Sequence, residues 1–438
     1  MVCFARFCVG FFRVVAAGWS SGMVTGSGAA KASTKTELCS TYSVQQPLAP
    51  WAAPHLIDRG SMTDNRSQFP QQLRHRERHP KARWKRRGIV GGLFLGLAAL
   101  ATTAAIAGPL AAVGAYVDPY HAKVQAAGYV QKSVRVNRIT LSYVEGPDNG
   151  PPLVLLHAQL LDWFSYSRVL PELAKSFHVY DIDYPGHGQT ITPADYPMTA
   201  NQIGADLGDF IEKHIGRPVF VTGNSSGGLL ATWLAAHRPK LIKAALLEDP
   251  PLFSAEYPRI KQTIADRAFR TSYAAATQDH PDDFLLYWTH GNAPFFRKNI
   301  GPGTPFILTQ AVKAYRRANP GKPVEIGVVK NDTVRMLLRG LDRYDPRFGA
   351  AFYDGTWNKG FDHAEALKTI TCPVLLMQAN TSQLPDGTLN GAMSKEEADR
   401  AMSLLHKGKY LKVDATHVVN LDKPVEFTNA LESFFLGR

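Results

Sequence analysis

Residues 218–230 read PVFVTGNSSGGLL. An apolar run, Val219 to Val221, gives way to a Ser pair between Gly223 and Gly227, and apolar residues resume at Leu229. The first part has the composition of a buried strand and the last that of a helix. A Ser at the turn between them needs small residues two places before and after it, because the backbone is strained and neighbouring elements approach closely. Gly223-Asn224-Ser225-Ser226-Gly227 meets that requirement as G-x-S-x-G. The turn would lift the Ser225 hydroxyl above a sheet edge, and the N–H groups after it would open a helix N-terminus that favours developing negative charge.

On either side of this turn the chain alternates strand-like and helix-like runs from Tyr129 onward, which predicts a mostly parallel sheet with helices on both faces. A hairpin, VQKSVRV and RITLSYVE, comes first, followed by the buried-strand pattern PLVLLHA. HVYDIDY leads through PGHGQT to a helix whose Ile203, Leu207, Phe210 and Ile211 share one face. After the Ser pair come the strand KAALLEDP and, much later, PVLLMQA, the helix KEEADRAMSLL, the strand KYLKVDA and a closing helix. Residues 251–365 interrupt the alternation with aromatic, Pro-rich, helical sequence. An insertion there would form a helical cap over the C-terminal ends of the strands, where open parallel sheets bind ligands. The expected organisation is a basic N-terminal segment 1–87, an apolar segment 88–117, a first core part 118–250, the cap 251–365 and a second core part 366–438.

Four further stretches stand beside the Ser turn: LLHAQ (155–159), DYPGHGQT (183–190), EDPP (248–251) and ATHVVNLDKPVEF (415–427). With them the chain resembles the α/β-hydrolase superfamily over residues 129–438, in its serine esterase or lactonase-like branch with a helical lid. The resemblance implies that Ser225 is a nucleophile and that His417, after the last strand, is its base. It assigns shaping roles in their loops to His157 and His187. The imidazole then needs a carboxylate to fix its tautomer. Most of the family places that acid after the strand PVLLMQA, where Asn380, Thr381 and Ser382 stand here and the first acid is Asp386. Some branches place it after the strand following the nucleophile, where Asp249 stands beside Glu248. Asp249 is preferred, Asp386 is its rival, and a loop-capping role before Pro250-Pro251 is the plainer reading of Asp249. The oxyanion hole implied by the family uses the backbone N–H groups of Ser226 and Gln159, although Ala158 stands where the family usually has Gly.

These roles imply cleavage of a carboxylic ester or lactone through an acyl-enzyme, with no metal or organic cofactor. Relatives that open epoxides or haloalkanes use an Asp nucleophile, so Ser225 argues against both. C–C bond hydrolysis, amide hydrolysis and perhydrolysis use the same triad and stay open. A non-catalytic binding protein is the rival of a different class; such members usually lose a triad residue, whereas this chain has a Ser, a His and two acids. Phe284, Tyr287, Trp288, Phe295, Phe296 and Trp357 in the insertion suit a hydrophobic substrate, or equally the cap's own core.

The 438 residues carry a net charge of +12. Residues 1–87 hold 14 Lys or Arg against 4 Asp or Glu, so most of the excess lies there, clustered from Arg74 to Arg87. The next stretch argues against a nucleic-acid-binding arm: thirty residues without a charge, Gly88 to Val117, when about 20 apolar residues cross a bilayer. The stretch reads as a signal anchor, or as a signal peptide cut after Ala105-Ile106-Ala107. Basic residues before it place the folded part on the non-cytoplasmic side, anchored or exported. Three of four cysteines, Cys3, Cys8 and Cys39, lie before Met62, a second candidate start. Cys372 alone in the folded part permits no internal disulfide there.

Overall fold

The computed structural model describes residues 112–299 and 301–437. The basic segment 1–87, with Cys3, Cys8, Cys39 and Met62, and residues 88–111 of the uncharged stretch lie outside the described residues.

The hairpin pairs β1 (Val130–Val136) with β2 (Ile139–Glu145) in antiparallel register, Val136 opposite Ile139. Its turn residue Asn137 takes φ +49°, a left-handed conformation that Asn tolerates. The following strands are β3 (Pro152–Leu156), β4 (His178–Asp183), β5 (Val219–Asn224), β6 (Ile242–Glu248) and β7 (Val374–Gln378). A two-residue ribbon, β8 (Ser382–Gln383) with β9 (Leu389–Asn390), precedes β10 (Gly408–Lys412). The eight-stranded sheet runs β1-β2-β4-β3-β5-β6-β7-β10, with β2 antiparallel to β4 and every pair from β4 to β10 parallel. This is the expected α/β class. β3, β4 and β7 are buried along their whole length, which is why they read as unbroken apolar runs. β10 is the edge strand; its exposed Lys409 and half-exposed Leu411 belong to a strand that other chains could extend, and lysines blunt such edges.

Two-residue periodicity divides the core. Val154 and Leu156 of β3 join one apolar cluster, with Val219, Val221 and Leu247, and Leu153 and Leu155 join the other, with Val179, Leu246 and Phe427. On the first face lie α2 (Ala200–Phe210) and α3 (Ser226–His237). α2 is capped by Thr199, whose side chain accepts from Gln202 N, and buries Ile203, Leu207 and Phe210 completely. α3 is buried from Ser226 to Ala235, as a helix at the centre of an α/β protein must be. Fully burying each such Leu, Ile or Phe stabilises the fold by about 1.5–3 kcal/mol.

Between β6 and β7 the described residues form helices: α4 (Asp266–Ala274), α5 (Phe284–Gly291), α6 (Ala293–Asn299), α7 (Phe306–Ala318), α8 (Asp332–Leu341), α9 (Pro346–Asp354) and α10 (His363–Thr369). α10 straddles the expected 365/366 boundary. α8 crosses the loop after β3 so closely that a Cβ on Gly340 would lie 2.1 Å from Leu160 O. The Asp345 N–H donates to Gly186 O at 2.9 Å in the loop after β4. The helices therefore rest on the C-terminal ends of β3 and β4. Phe284, Trp288, Phe296 and Trp357 are buried in the core cluster, and Trp357 stacks on Phe352 at 4.3 Å; these rings pack the cap itself. After β9, α11 (Lys395–Leu404) begins with a Ser394–Glu397 capping box and α12 (Pro424–Leu436) closes the chain.

The last residues of the uncharged stretch belong to this unit. Val113 is buried, Gly114 O accepts from Asn319 Nδ2 at 2.7 Å, and α1 (Tyr120–Ala126) follows. No helix among the described residues is long and apolar enough to cross a membrane.

Candidate active site

β3 lies between β4 and β5, so the chain leaves β3 toward one side of the sheet and leaves β5 toward the other. Ligand crevices of parallel sheets form at such reversals, beyond the C-terminal ends of the strands. Gln159 and Ser225 stand at those two ends.

Ser225 joins β5 to α3 with φ +57° and ψ −120°, a conformation costing of order 1–3 kcal/mol for a residue with a side chain. Its surroundings hold it there. A Cβ on Gly223 would lie 2.2 Å from Gly227 O, and one on Gly227 would lie 2.1 Å from Leu156 O. No residue but glycine fits either place, which explains the bracket around the Ser pair. The Ser225 N–H donates to Glu248 O at 2.9 Å, and the first helical bond of α3 runs from Leu229 N to Ser225 O at 3.1 Å.

His417 follows β10, and its Nδ1 meets Asp249 Oδ2 at 2.7 Å. Asp249 stands one residue past β6 with φ +43°. Its N–H donates to Met377 O at 2.7 Å and its Oδ1 accepts from Ala379 N at 3.1 Å. These bonds to β7 and its loop leave Oδ2 for the imidazole. Asp249 is 2 % exposed and His417 42 %, so a dry carboxylate orients a ring open to solvent. Asp386, the rival acid, sits in the turn between β8 and β9, where its carboxylate accepts from Thr388 N at 3.0 Å. That backbone bond holds it below the usual carboxylate range. Asp249, and not Asp386, is the acid on the His417 ring.

Asn224, next to Ser225, donates from Nδ2 to His417 O at 2.8 Å, which brings the His417 loop against the elbow. No hydrogen bond joins the Ser225 hydroxyl to the imidazole in the structure; such contacts commonly tighten only around a reacting substrate. Among the described residues no protein group accepts from the N–H of Ser226 or Gln159. Ala158 keeps an ordinary backbone, and the left-handed conformation falls on Leu160, φ +65°. Ala158 O accepts from Leu161 N at 3.2 Å and meets His157 Nδ1 at 2.8 Å, shaping the turn that carries Gln159.

A buried aromatic group backs the elbow. Tyr184 shares a 2.9 Å hydrogen bond with the Ser226 hydroxyl. His157 stacks on Tyr184 at 4.4 Å, and His187 meets both rings edge-on. Burial pushes His157 down to about 4 and lowers His187 well below the usual imidazole range, so both rings are neutral at pH 7. Asp183, raised to about 7 by burial, accepts from Trp163 N and Gln189 N at 2.9 and 3.0 Å and so ties together the loops after β3 and β4.

Three residues found only in the structure are Asn224, Tyr184 and Asn420. The first occupies a variable position of the G-x-S-x-G motif and could have been suspected there; Tyr184 and Asn420 lie in the quoted stretches 183–190 and 415–427, but nothing in those stretches marks them individually. A surface cavity of about 640 Å³, lined by His237, Glu256, Tyr257, Lys359 and Asp362 among others, opens at the far end of α3. By helix rise it lies about 18 Å from the elbow, and it shares no residue with the groups above.

A family model described as "Alpha/beta hydrolase family" matches residues 153–431. The pimeloyl-[acyl-carrier protein] methyl ester esterase of Chromobacterium violaceum is 32 % identical over 161 residues, 36 % of this chain and 61 % of that protein. The (E)-2-((N-methylformamido)methylene)succinate hydrolase of Acinetobacter baylyi is 32 % identical over 114 residues, 24 % of this chain and 40 % of that protein. The chain thus spans about three fifths and two fifths of the length of these relatives. Among solved structures, the enol-lactonase from Burkholderia xenovorans superposes with a TM-score of 0.47 at 18 % identity, covering 70 % of this chain and 100 % of that one. A carboxylesterase of Bacillus subtilis superposes with a TM-score of 0.47 at 18 % identity, covering 73 % and 96 %. A model matching well over half of the chain, on a sheet with this strand order and this elbow, fixes the family: the chain belongs to the alpha/beta hydrolases.

Proposed function

We propose that this protein is a serine hydrolase cleaving carboxylic esters or lactones of hydrophobic small molecules through an acyl-enzyme, with Ser225, His417 and Asp249 as its triad. The observation that carries the reading is the 2.7 Å bond between His417 Nδ1 and Asp249 Oδ2, in a loop tied to Asn224, the residue beside Ser225. Asp249 fixes the tautomer that leaves Nε2 as the base. Ser225 Oγ gives its proton to His417 Nε2 and attacks the carbonyl carbon, and the anion that forms is held by the N–H groups of Ser226 and Gln159. His417 then protonates the leaving alcohol, and water attacks the acyl-enzyme by the same route in reverse. An esterase among the relatives supports an ester substrate. C–C bond or amide hydrolysis, perhydrolysis and simple binding are the alternatives.

A p-nitrophenyl ester series of increasing acyl length, run beside Ser225→Ala, tests this. Turnover peaking at medium chain length and falling at least about 10³-fold in the variant is expected; no turnover at any length, or none lost in the variant, would overturn it. A fluorophosphonate should label the native chain at Ser225, whereas a protein that only binds would stay unlabelled.

We also propose that the uncharged run 88–117 carries a membrane signal, as an anchor or as a cleaved export signal, with the folded unit on the non-cytoplasmic side. The folded unit uses the run's last residues, from Val113 on, so residues 88–112, 25 in number, are left over, still above the roughly 20 that a span needs. Alkaline extraction of membranes and protease accessibility from each side check this.

A further inference from the structure

Glu248 and Asn224 form the tips of β6 and β5, and both are buried. Asn224 Nδ2 donates twice, to His417 O at 2.8 Å and to Glu248 O at 3.2 Å. Glu248 Oε1 accepts from Asn420 N at 2.8 Å, and Asn420 Nδ2 donates to Ser165 O at 2.9 Å. The segment from His417 to Asn420 is therefore stapled at one end to the tip of β5, which carries Ser225, and at the other to the tip of its neighbour β6. Only one of these bonds involves the imidazole's own residue, and it comes from the side chain next to Ser225.

We propose that Asn224 is a positioning residue for catalysis, holding the His417 backbone at the height where its imidazole can reach Ser225, with Glu248 and Asn420 fixing the other end of the same loop. The proposal rests on Ser225 acting as the nucleophile. Asn224 thus couples two elements far apart in the chain: any movement of the elbow carries the base with it, and Asp249, next in the chain to Glu248 at the tip of β6, moves in the same frame. A strained Ser can keep its reach to a base only if both ride on one rigid support.

The chemistry at the other end agrees. Burial pushes Glu248 up to about 8, against the influence of the Asn420 N–H, so at neutral pH it is a carboxylic acid with a proton to donate. Its Oε2 has no partner, and neither have Asn224 Oδ1 and Asn420 Oδ1, all three buried. Asp249 and Tyr166 are the other titratable groups facing it, and both stay in place through their own backbone bonds.

Asn224→Ala, measured with p-nitrophenyl esters, should lower kcat about 10²-fold, the scale of a misplacement of about 1 Å, while KM stays within about threefold. In the Asp249→Asn background the same change should cost less than about threefold, because both substitutions act on the one imidazole. Asn224→Leu, which fills the volume and removes the donor, should behave alike and guards against collapse of the alanine variant. A kcat kept within about twofold in a folded variant, or full additivity with Asp249→Asn, would overturn the proposal. Ser225→Ala run alongside separates this from failure of the serine reading: if it too stays active, the nucleophile is wrong rather than the support.

Discussion

At the tips of β5 and β6, the groups around Ser225 are held by a strained backbone, glycines and bonds to neutral amides, whereas the underside of the cap is held by full charges. Arg339, almost wholly buried, bonds Asp162 at 2.8 Å and Glu325 at 2.5 Å. Glu325 also meets His121 at 2.6 Å and accepts from Asp118 N at 3.1 Å. Asp118 takes Arg168 in two bonds of 3.1 Å. The two regions teach different things about what a substitution does. Losing a neutral partner beside a strained Ser misplaces a reacting group and leaves the fold standing. Losing one charge from a dry cluster leaves its partners unpaired and weakens the fold, since breaking a buried pair costs about 3–5 kcal/mol.

The sharpest way to break the comparison is Asp249→Asn. Turnover should fall about 10³- to 10⁴-fold with little change in Tm, because an amide oxygen can still accept from Ala379 N; a large fall in Tm measured by thermal unfolding would show that the two regions are not distinct. Arg339→Leu should do the opposite, lowering Tm by roughly 10 °C through the stranded Asp162 and Glu325.

Glu248 belongs to the first region, yet its buried carboxyl bears on stability. Its folded pKa, about 8, stands above its ordinary 4.5. The stability it contributes is therefore fully present below about pH 4.5 and is lost as pH rises through 8. Urea midpoints measured at pH 5 and pH 9 should converge in Glu248→Gln, which carries no titrating proton, relative to the native chain. Tyr184→Phe removes only the bond to the Ser226 hydroxyl, and should cost less than tenfold in kcat/KM and about 1 kcal/mol in stability. Asp386→Asn should change neither turnover nor Tm measurably, which sets the floor against which the others are judged.

Legibility in the sequence divides along the same line. The succession of strands along the chain and the elbow are legible because they rest on local facts: two-residue periodicity, unbroken apolar runs, and glycines two places either side of Ser225. The choice between Asp249 and Asp386 was not, since each comes after a strand and only the bond to His417 Nδ1 separates them. The aromatic residues of the insertion have two readings: Phe284, Trp288, Phe296 and Trp357 are buried in the core cluster, whereas Tyr287 is half-buried and Phe295 exposed. Arg339 and Asp162 are 177 residues apart, and no spacing rule links a charge on one helix to a charge on a distant loop. Nor does the sequence mark where the uncharged run begins to serve the core; among the described residues Val113 already does.

Asp118 makes that boundary matter in practice. It stands one residue after the uncharged stretch, bonds Arg168 on the sheet side and reaches Glu325 of the cap through its N–H. N-terminal truncation of the chain after Ala107 would leave this latch whole. Trimming past residue 118 would instead unlock the roof from its walls, and anyone shortening the N-terminus to obtain a tractable enzyme should stop ahead of Val113.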